Sequence, residues 1–477
     1  FPDTILLFRL GDFYETFDED AELAARLLDL VLTGRDMGKG LRVPMAGIPH
    51  HAAEGYIARL VAAGHKVAVC EQVGEVQKGR GLVDRDVTRV VTPGTVTDSS
   101  MLQAHRNTYL AGVVIDGVRA GIAYADVSTG EFRTCQIAAA TPDAARSAIA
   151  RELLRLGPAE VVAPEAALAG DTGWLPGSAS RSAIEDWRVT PERAAETIRR
   201  HFRVEALDGF GLSGLPLAAR AAGMLLAYLD DTQRSRTEQL RALSVYSTDG
   251  YMALDAQTRR NLELTESARG ERRHSLVAVL DQTITPMGAR LLRSWIGQPL
   301  LEIAPLLERQ DAIGRLVDDP MRRAAVRQAL KPVADLERLA NRALSGAILP
   351  RETAALRDSL AALPALIDAA AGHPDAEPLR AVLDGCLRAS DLLRSAIVDE
   401  PPAVLGKGSV IRPGFAPELD GHEARAREAR EWIAGLERTE RERSGIRSLK
   451  VGYNKVFGYY LEISAGSAAS ESRRADV

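Results

Sequence analysis

The feature that most constrains this chain is a change of hydrophobic period near residue 215. Before it, short β-rich runs alternate with amphipathic helical stretches; after it, apolar residues recur at helical spacing almost without interruption. One core cannot absorb both patterns over 477 residues. Domains cluster at roughly 100 to 200 residues, so about three to four are expected.

The run TILLFRL at 4–10 reads as a strand. After Gly11-Asp12, the residues Tyr14, Phe17, Ala21, Ala24 and Leu28 fall at helical spacing, which predicts a helix over 13–29. A second helix over 51–63 and strands at 66–70 and 87–91, the latter ended by Thr92-Pro93-Gly94, complete an α+β unit. Three β-rich runs follow at 109–115, 121–126 and 131–137, separated by the turn sequences Asp116-Gly117 and Ser128-Thr129-Gly130. A helix over 143–156 and a strand over 160–163 continue this second domain in α/β style, and 169–182 reads as loop. Helical stripes then occupy 217–229, 275–284, 287–295, 305–316 and 351–371. The Arg- and Glu-rich segment 418–447 predicts a long lever-like helix, after which β-branched and aromatic residues with glycines at 451–463 predict strands.

An apolar fraction of 46% with 26% charged residues excludes extended disorder. Cys70, Cys135 and Cys386 are far apart without CxxC spacing, which offers neither a disulfide framework nor a zinc site and fits a reducing, cytoplasmic setting. No run approaches the roughly 18 to 20 apolar residues of a membrane span. The formal net charge of -5 makes no case for nucleic acid by itself. Phe1 at the start and the small, polar run 464–477 at the end both read as cuts in a longer protein.

In Gly11-Asp12-Phe13-Tyr14-Glu15, Asp12 can cap the expected helix and Glu15 can close a capping box. Phe13 then occupies the first helical position, either as a core or staple residue or projecting from the helix end, with Glu15 about 200° further round. Asp116 and Asp126 invite a nuclease reading, yet an Asp-Gly turn and a strand end account for them, and metal-dependent phosphoryl chemistry wants several converging carboxylates. Cys70 suggests a thiol nucleophile, against which stands a buried structural cysteine. No GxxxxGK[ST] phosphate loop occurs: Gly406-Lys407-Gly408 lacks its spacing and following hydroxyl.

The string FRLGDFYETF resembles the Phe-x-Glu mismatch-binding motif of the MutS family. Further strings are similar to the same family in order: LTGRDMGKGLRVPMAGIPHHA at 32–52, CEQVGEV at 70–76, RVVTPGT at 89–95, LDAQTRRNLEL at 254–264, SLVAVLDQTITPMGARLLRSWI at 275–296 and LKVGYNKVFGYYLEIS at 449–464. The resemblance implies a multidomain fold, α+β and α/β followed by a mostly helical region: an α+β mismatch reader (1–100), a ribonuclease-H-like connector (107–225), a helical lever core (226–415) and a partial, β-containing clamp (416–477). It implies that Phe13 wedges into DNA and Glu15 contacts a mispaired base. Among supporting residues, Arg35 and Arg85 are expected at phosphates and Met45 packs near the wedge, ahead of Lys39, Arg42, Lys78, Arg80 and Arg89. In the clamp, Tyr453, Asn454 and Lys455 are expected to meet the DNA backbone, with Tyr459 and Tyr460 as core strand residues. The implied partners are double-stranded DNA with mismatches or small loops, a second copy of the chain and a MutL-type protein. ATP and Mg belong to the ATPase of the full-length protein; in this stretch no enzyme activity, cofactor or metal site is expected. A MutS-related junction binder is the alternative, which the reader segment argues against.

Overall fold

The computed structural model describes residues 3–36, 42–73, 85–233, 237–374, 376–454 and 458–463, which fall into two compact units, Phe1–Ser390 and Asp391–Val477. The first unit opens with β1 (Thr4–Leu10) and β2 (Phe13–Phe17). Leu10 pairs with Phe13, so the connection is just Gly11 and Asp12. Gly11 takes φ +62°, the positive value a tight hairpin turn demands of its first central residue. The helix expected over 13–29 therefore starts later, as α1 (Asp18–Leu28), whose N-cap Phe17 makes no side-chain cap bond. Neither the Asp12 cap nor the Glu15 capping box forms. The physical reason is the two-residue turn, which returns the chain along β1 before any helix can begin, and the sheet then takes Tyr14 and Thr16 into its buried side. Helix α1 nucleates where Asp18, Glu19 and Asp20 place three carboxylates on the first turn, favourable to the helix dipole.

Strands β3 (Thr33–Asp36) and β4 (Arg42–Pro49), helix α2 (Ala53–Ala62), and strands β5 (Lys66–Gln72) and β6 (Arg85–Val91) complete a six-stranded sheet of order β3-β4-β2-β1-β5-β6. Side chains alternate across it. One face puts Ile5, Leu7, Tyr14, Ile48, Val67 and Val69 against Ala24 and Leu28 of α1 and Ile57 and Leu60 of α2. The other face carries a smaller cluster of Leu6, Phe8, Ala68, Cys70, Val87 and Val90.

The second sheet combines β7 (Leu110–Asp116), β8 (Arg119–Asp126), β9 (Glu131–Ala138), β10 (Glu160–Pro164), β11 (Ser180–Ile184) and β12 (Ser244–Val245) in the order β11-β10-β7-β8-β9-β12. The expected loop over 169–182 thus ends in a strand, paired parallel to β10. Helix α3 (Pro142–Leu156), capped by the Thr141 hydroxyl, covers one face with Ile149 and Leu153. After the single turn α4 (Glu165–Leu168), α5 (Pro191–Phe202) and α6 (Pro216–Gln233) cover the other. The stripe from 217, where helical spacing sets in, accordingly belongs to this sheet. Two glycines permit the close approach: a Cβ on Gly121 would lie 2.0 Å from the Leu217 carbonyl oxygen, and one on Gly223 2.4 Å from that of Ala194. Fully buried Glu160 ties the first sheet to the second, accepting hydrogen bonds from the Thr92, Ser182 and Tyr228 hydroxyls and from Gly94 N at 3.0 Å.

Helices α7 (Ala256–Asn261), α8 (Leu276–Leu280), α9 (Pro286–Gly297), α10 (Ile303–Asp318), α11 (Pro320–Ala329), α12 (Leu336–Leu344), α13 (Pro350–Ala361), α14 (Leu363–Ala369) and α15 (Ala376–Ala396) follow. The helix read over 275–284 is short because the Asp281 carboxylate takes the Thr283 backbone N–H at 3.2 Å, making a turn before Thr285 caps α9. The one over 351–371 divides at Ala362, where Pro364 cannot donate to the preceding turn. Arginines from α9 and α12 grip the backbone of the segment between the sheets: Arg342 binds the Thr97 carbonyl (3.1 Å), Arg338 those of Gln103 (3.0 Å) and Arg106 (2.8 Å), and Arg290 that of Ala104 (2.9 Å).

In the second unit, α16 (Pro417–Ser444) ends at Gly445 and leads into a hairpin of β13 (Lys450–Asn454) and β14 (Gly458–Glu462). Glu437 accepts from Val451 N (3.1 Å) and Arg441 donates to the Leu449 carbonyl (2.7 Å), fixing hairpin to helix.

Candidate nucleic-acid interface

Because Phe13–Phe17 is a strand, Phe13, Glu15 and Phe17 project from one face, while Tyr14 and Thr16 enter the helix-covered side. In register with them, Phe17 faces Met45, Glu15 faces Gly47 and Phe13 faces Pro49 on β4; Thr33 faces Met45 from β3, where Arg35 is two residues further along the same side. Four residues proposed from sequence, Phe13, Glu15, Arg35 and Met45, therefore share the face opposite α1 and α2. β2 is interior, hydrogen-bonded on both sides, so the backbone that carries Phe13 is held by two neighbours.

Phe13 is 48% exposed. Arg35 Nη1 donates to Glu15 Oε2 at 2.6 Å, and its guanidinium sits 5.9 Å from the centre of the Phe17 ring. Both partners of this ion pair reach solvent, so it contributes at most about 1 kcal/mol and opens at little cost. Phe17 escaped the sequence reading, which placed it on a helical stripe; the aromatic-x-acid-x-aromatic alternation over 13–17 was the signal for it.

Arg85 lies apart, on the opposite edge strand β6, with Nε 3.4 Å from the Arg9 carbonyl. Arg89 pairs with Glu54 of α2 on the helix-covered side. Lys39, Lys78, Arg80 and Lys455 lie outside the described residues. On the hairpin, Tyr453 pairs with Tyr459, rings 5.0 Å apart, and Asn454 pairs with Gly458. Tyr459 and Tyr460 are 60% and 42% exposed. They are surface residues rather than core, because among the described residues this sheet has two strands and both faces meet solvent.

The catalytic alternatives do not assemble. Asp126 is fully buried and both carboxylate oxygens are engaged, Oδ2 by Asn107 Nδ2 (3.0 Å) and Thr108 N (3.1 Å), Oδ1 by Ser128 N (2.9 Å) and Oγ (2.6 Å). Asp116 stands at the other end of the β7–β8 pair, roughly 20 Å away at strand rise. Among the described residues no group of three His, Cys, Asp or Glu side chains converges as metal ligands do. Cys70 is buried, and burial pushes its thiol pKa up, away from the thiolate a nucleophile needs. No helix among the described residues is long and apolar enough to cross a membrane.

Family profiles match along the chain in order: MutS domain I over residues 1–100, MutS domain II over 107–241 and MutS domain III over 257–457. The chain belongs to the MutS family. Proteins named "DNA mismatch repair protein MutS" from Symbiobacterium thermophilum and Thermosynechococcus vestitus are 48% and 45% identical to it, each over 97% of this chain and 54% of their own length. One from Chloroflexus aurantiacus is 42% identical over 97% of this chain and 57% of its own. The chain thus spans about half the length of the MutS relatives it matches. Its open face lies within the MutS domain I match, and α6 falls wholly inside the MutS domain II match.

Proposed function

We propose that this chain binds mismatched double-stranded DNA in DNA mismatch repair, with the open face of the first sheet as the reading surface. The observation that carries this is the exposed Phe13 ring beside Glu15 on a strand anchored at both edges. An apolar side chain inserted between base steps unstacks and kinks the duplex, at about a few kcal/mol per step. A mispaired or unpaired base lowers that cost, so Phe13 reads deformability rather than sequence, at base mismatches and small insertion or deletion loops. Glu15 is repelled by phosphates and recovers that cost only by hydrogen bonding to a disturbed base, which penalises intact duplex. Arg35 accompanies it, neutralising the carboxylate in the free protein and able to turn to a phosphate on binding.

On this reading the parts are a mismatch reader (1–100), a ribonuclease-H-like connector that starts at 107 and runs past the expected end at 225 to take in α6 and β12, since both belong to the second sheet, a helical lever core from there to 415 and a partial clamp (416–477), in which Tyr453 and Asn454 meet the backbone. The longer protein would act in the cytoplasm as a homodimer with a MutL-type partner, its ATPase using ATP and Mg to convert recognition into a sliding clamp. Binding to a short duplex with one G·T mismatch or an unpaired T, against the matched duplex at fixed salt, tests the wedge. Wild type is expected to prefer the mismatch and Phe13→Ala to lose that preference. Equal preference in a folded Phe13→Ala variant removes Phe13 from the role, and preference for a four-way junction would favour the junction-binding relative.

A further inference from the structure

A cleft of about 420 Å3 opens where the end of α3, the 106–109 segment, α7, the 264–270 turn and α9 meet. None of its lining residues belongs to the first sheet. Six arginines reach it against a single carboxylate, Glu266. Two are already neutralised: Arg155 by Glu152 at 2.5 Å, and Arg290 by Asp335 at 2.7 Å and Glu337 at 2.6 Å. The other four, Arg106, Arg259, Arg260 and Arg293, form no ion pair among the described residues. Arg259 donates to the Gly297 carbonyl (2.8 Å) and Arg106 to that of Gly157 (3.4 Å), contacts that leave their charge uncompensated.

The crowding shows in the guanidinium equilibria. Burial pushes the pKa of Arg293 down, and Arg106 and Arg272 push it further, with Glu266 opposing. Burial also lowers that of Arg259, aided by Arg155 and opposed by Glu152. The fold thus tolerates a concentration of positive charge in a concave, partly desolvated space that its own carboxylates do not balance, and a multivalent anion would relieve it. Guanidinium forks match phosphate oxygens in pairs, and Ser267 and Ser294 also line the cleft. The volume lies within the range of small-ligand sites, about 300 to 1,000 Å3, and has no room for a duplex.

We propose that this cleft is an anion site that takes the diphosphate or triphosphate group of a small phosphorylated ligand. The probe is sodium tripolyphosphate on the 477-residue chain, followed by calorimetric titration and thermal melting at matched ionic strength, with magnesium-free ATP as a second arm. One-site binding and a raised Tm are expected. ATP binding tighter than tripolyphosphate assigns a nucleotide, and equal affinity assigns an inorganic phosphate chain. Arg260→Gln with Arg293→Gln is expected to weaken binding by at least about tenfold, since each removes a charge-assisted contact. Without ligand the same variant is expected to melt no lower than wild type, because repulsion falls. Arg260→Gln alone, at an exposed position, repeats the test free of any packing change. No heat and no shift with tripolyphosphate, or a shift unchanged in the variants, overturns the proposal.

Discussion

At the scale of single residues, the site depends on two side chains separated by one position. Glu15 carries a charge that a phosphate backbone repels, so Glu15→Gln is expected to tighten binding to matched duplex and narrow the mismatch preference, read as the ratio of the two Kd values at fixed salt. A variant that retains the wild-type ratio would leave the carboxylate without a part in discrimination. The cysteines give a second check. Burial raises the thiol pKa of Cys70 and pushes that of Cys135 up to about 12, whereas Cys386 is only half-buried. At pH 8 the folded chain is expected to release one equivalent quickly to a disulfide reagent, from Cys386, with the other two reacting only on unfolding. Fast labelling of Cys70, located by peptide mapping, would contradict this. The pairing of Phe13 with Glu15 was legible in the residue string, but their common face was not. Tyr14, Phe17, Ala21, Ala24 and Leu28 fit a helical period as well as the first members fit a strand period, and local spacing cannot choose between them. The decision came from the Gly11-Asp12 turn and from β4, a partner strand that no local pattern reveals.

Among elements, the connector strands could be read closely because each is a buried, β-rich run bounded by turn residues, and β7, β8 and β9 differ from expectation by one or two residues. Helix α6 was equally visible as a helix, but its attachment to the second sheet was not, since an apolar stripe does not name what it packs against. That attachment rests on Gly121 and Gly223 as much as on the stripe. Gly121→Ala is expected to destabilise by about 1–3 kcal/mol, because the new Cβ meets the backbone of α6 and the helix must shift. Gly55→Ala in α2 has open space at the Cβ and is expected to stabilise by about 0.5–1 kcal/mol through helix propensity. Chemical denaturation of both variants reads the contrast. Equal effects would mean that the approach of α6 to β8 is looser than the backbone geometry implies.

For the whole molecule, the question is what fixes the first sheet, the second sheet and the helices as neighbours within one unit. Glu160 holds the end of the first sheet, and three arginines hold the segment that leads from it. Arg338 is buried, donates to two carbonyls and to Ser128 Oγ at 3.2 Å, and burial lowers its pKa, so it has much to lose if its partners move. Arg338→Ala is expected to cost about 2–4 kcal/mol and to open residues 97–106 to limited proteolysis before either sheet is cut. Unchanged proteolysis would show that Glu160 and the remaining arginines suffice. None of this was legible beforehand, because an arginine bound to backbone carbonyls has the same sequence signature as one on a solvated face. The carbonyls Arg338, Arg342 and Arg290 hold belong to Gln103, Arg106, Thr97 and Ala104, and a carbonyl is common to all twenty amino acids. The segment's path is therefore fixed while its spelling is largely free. Homologous chains can be expected to drift in letters there and yet resist any change in length.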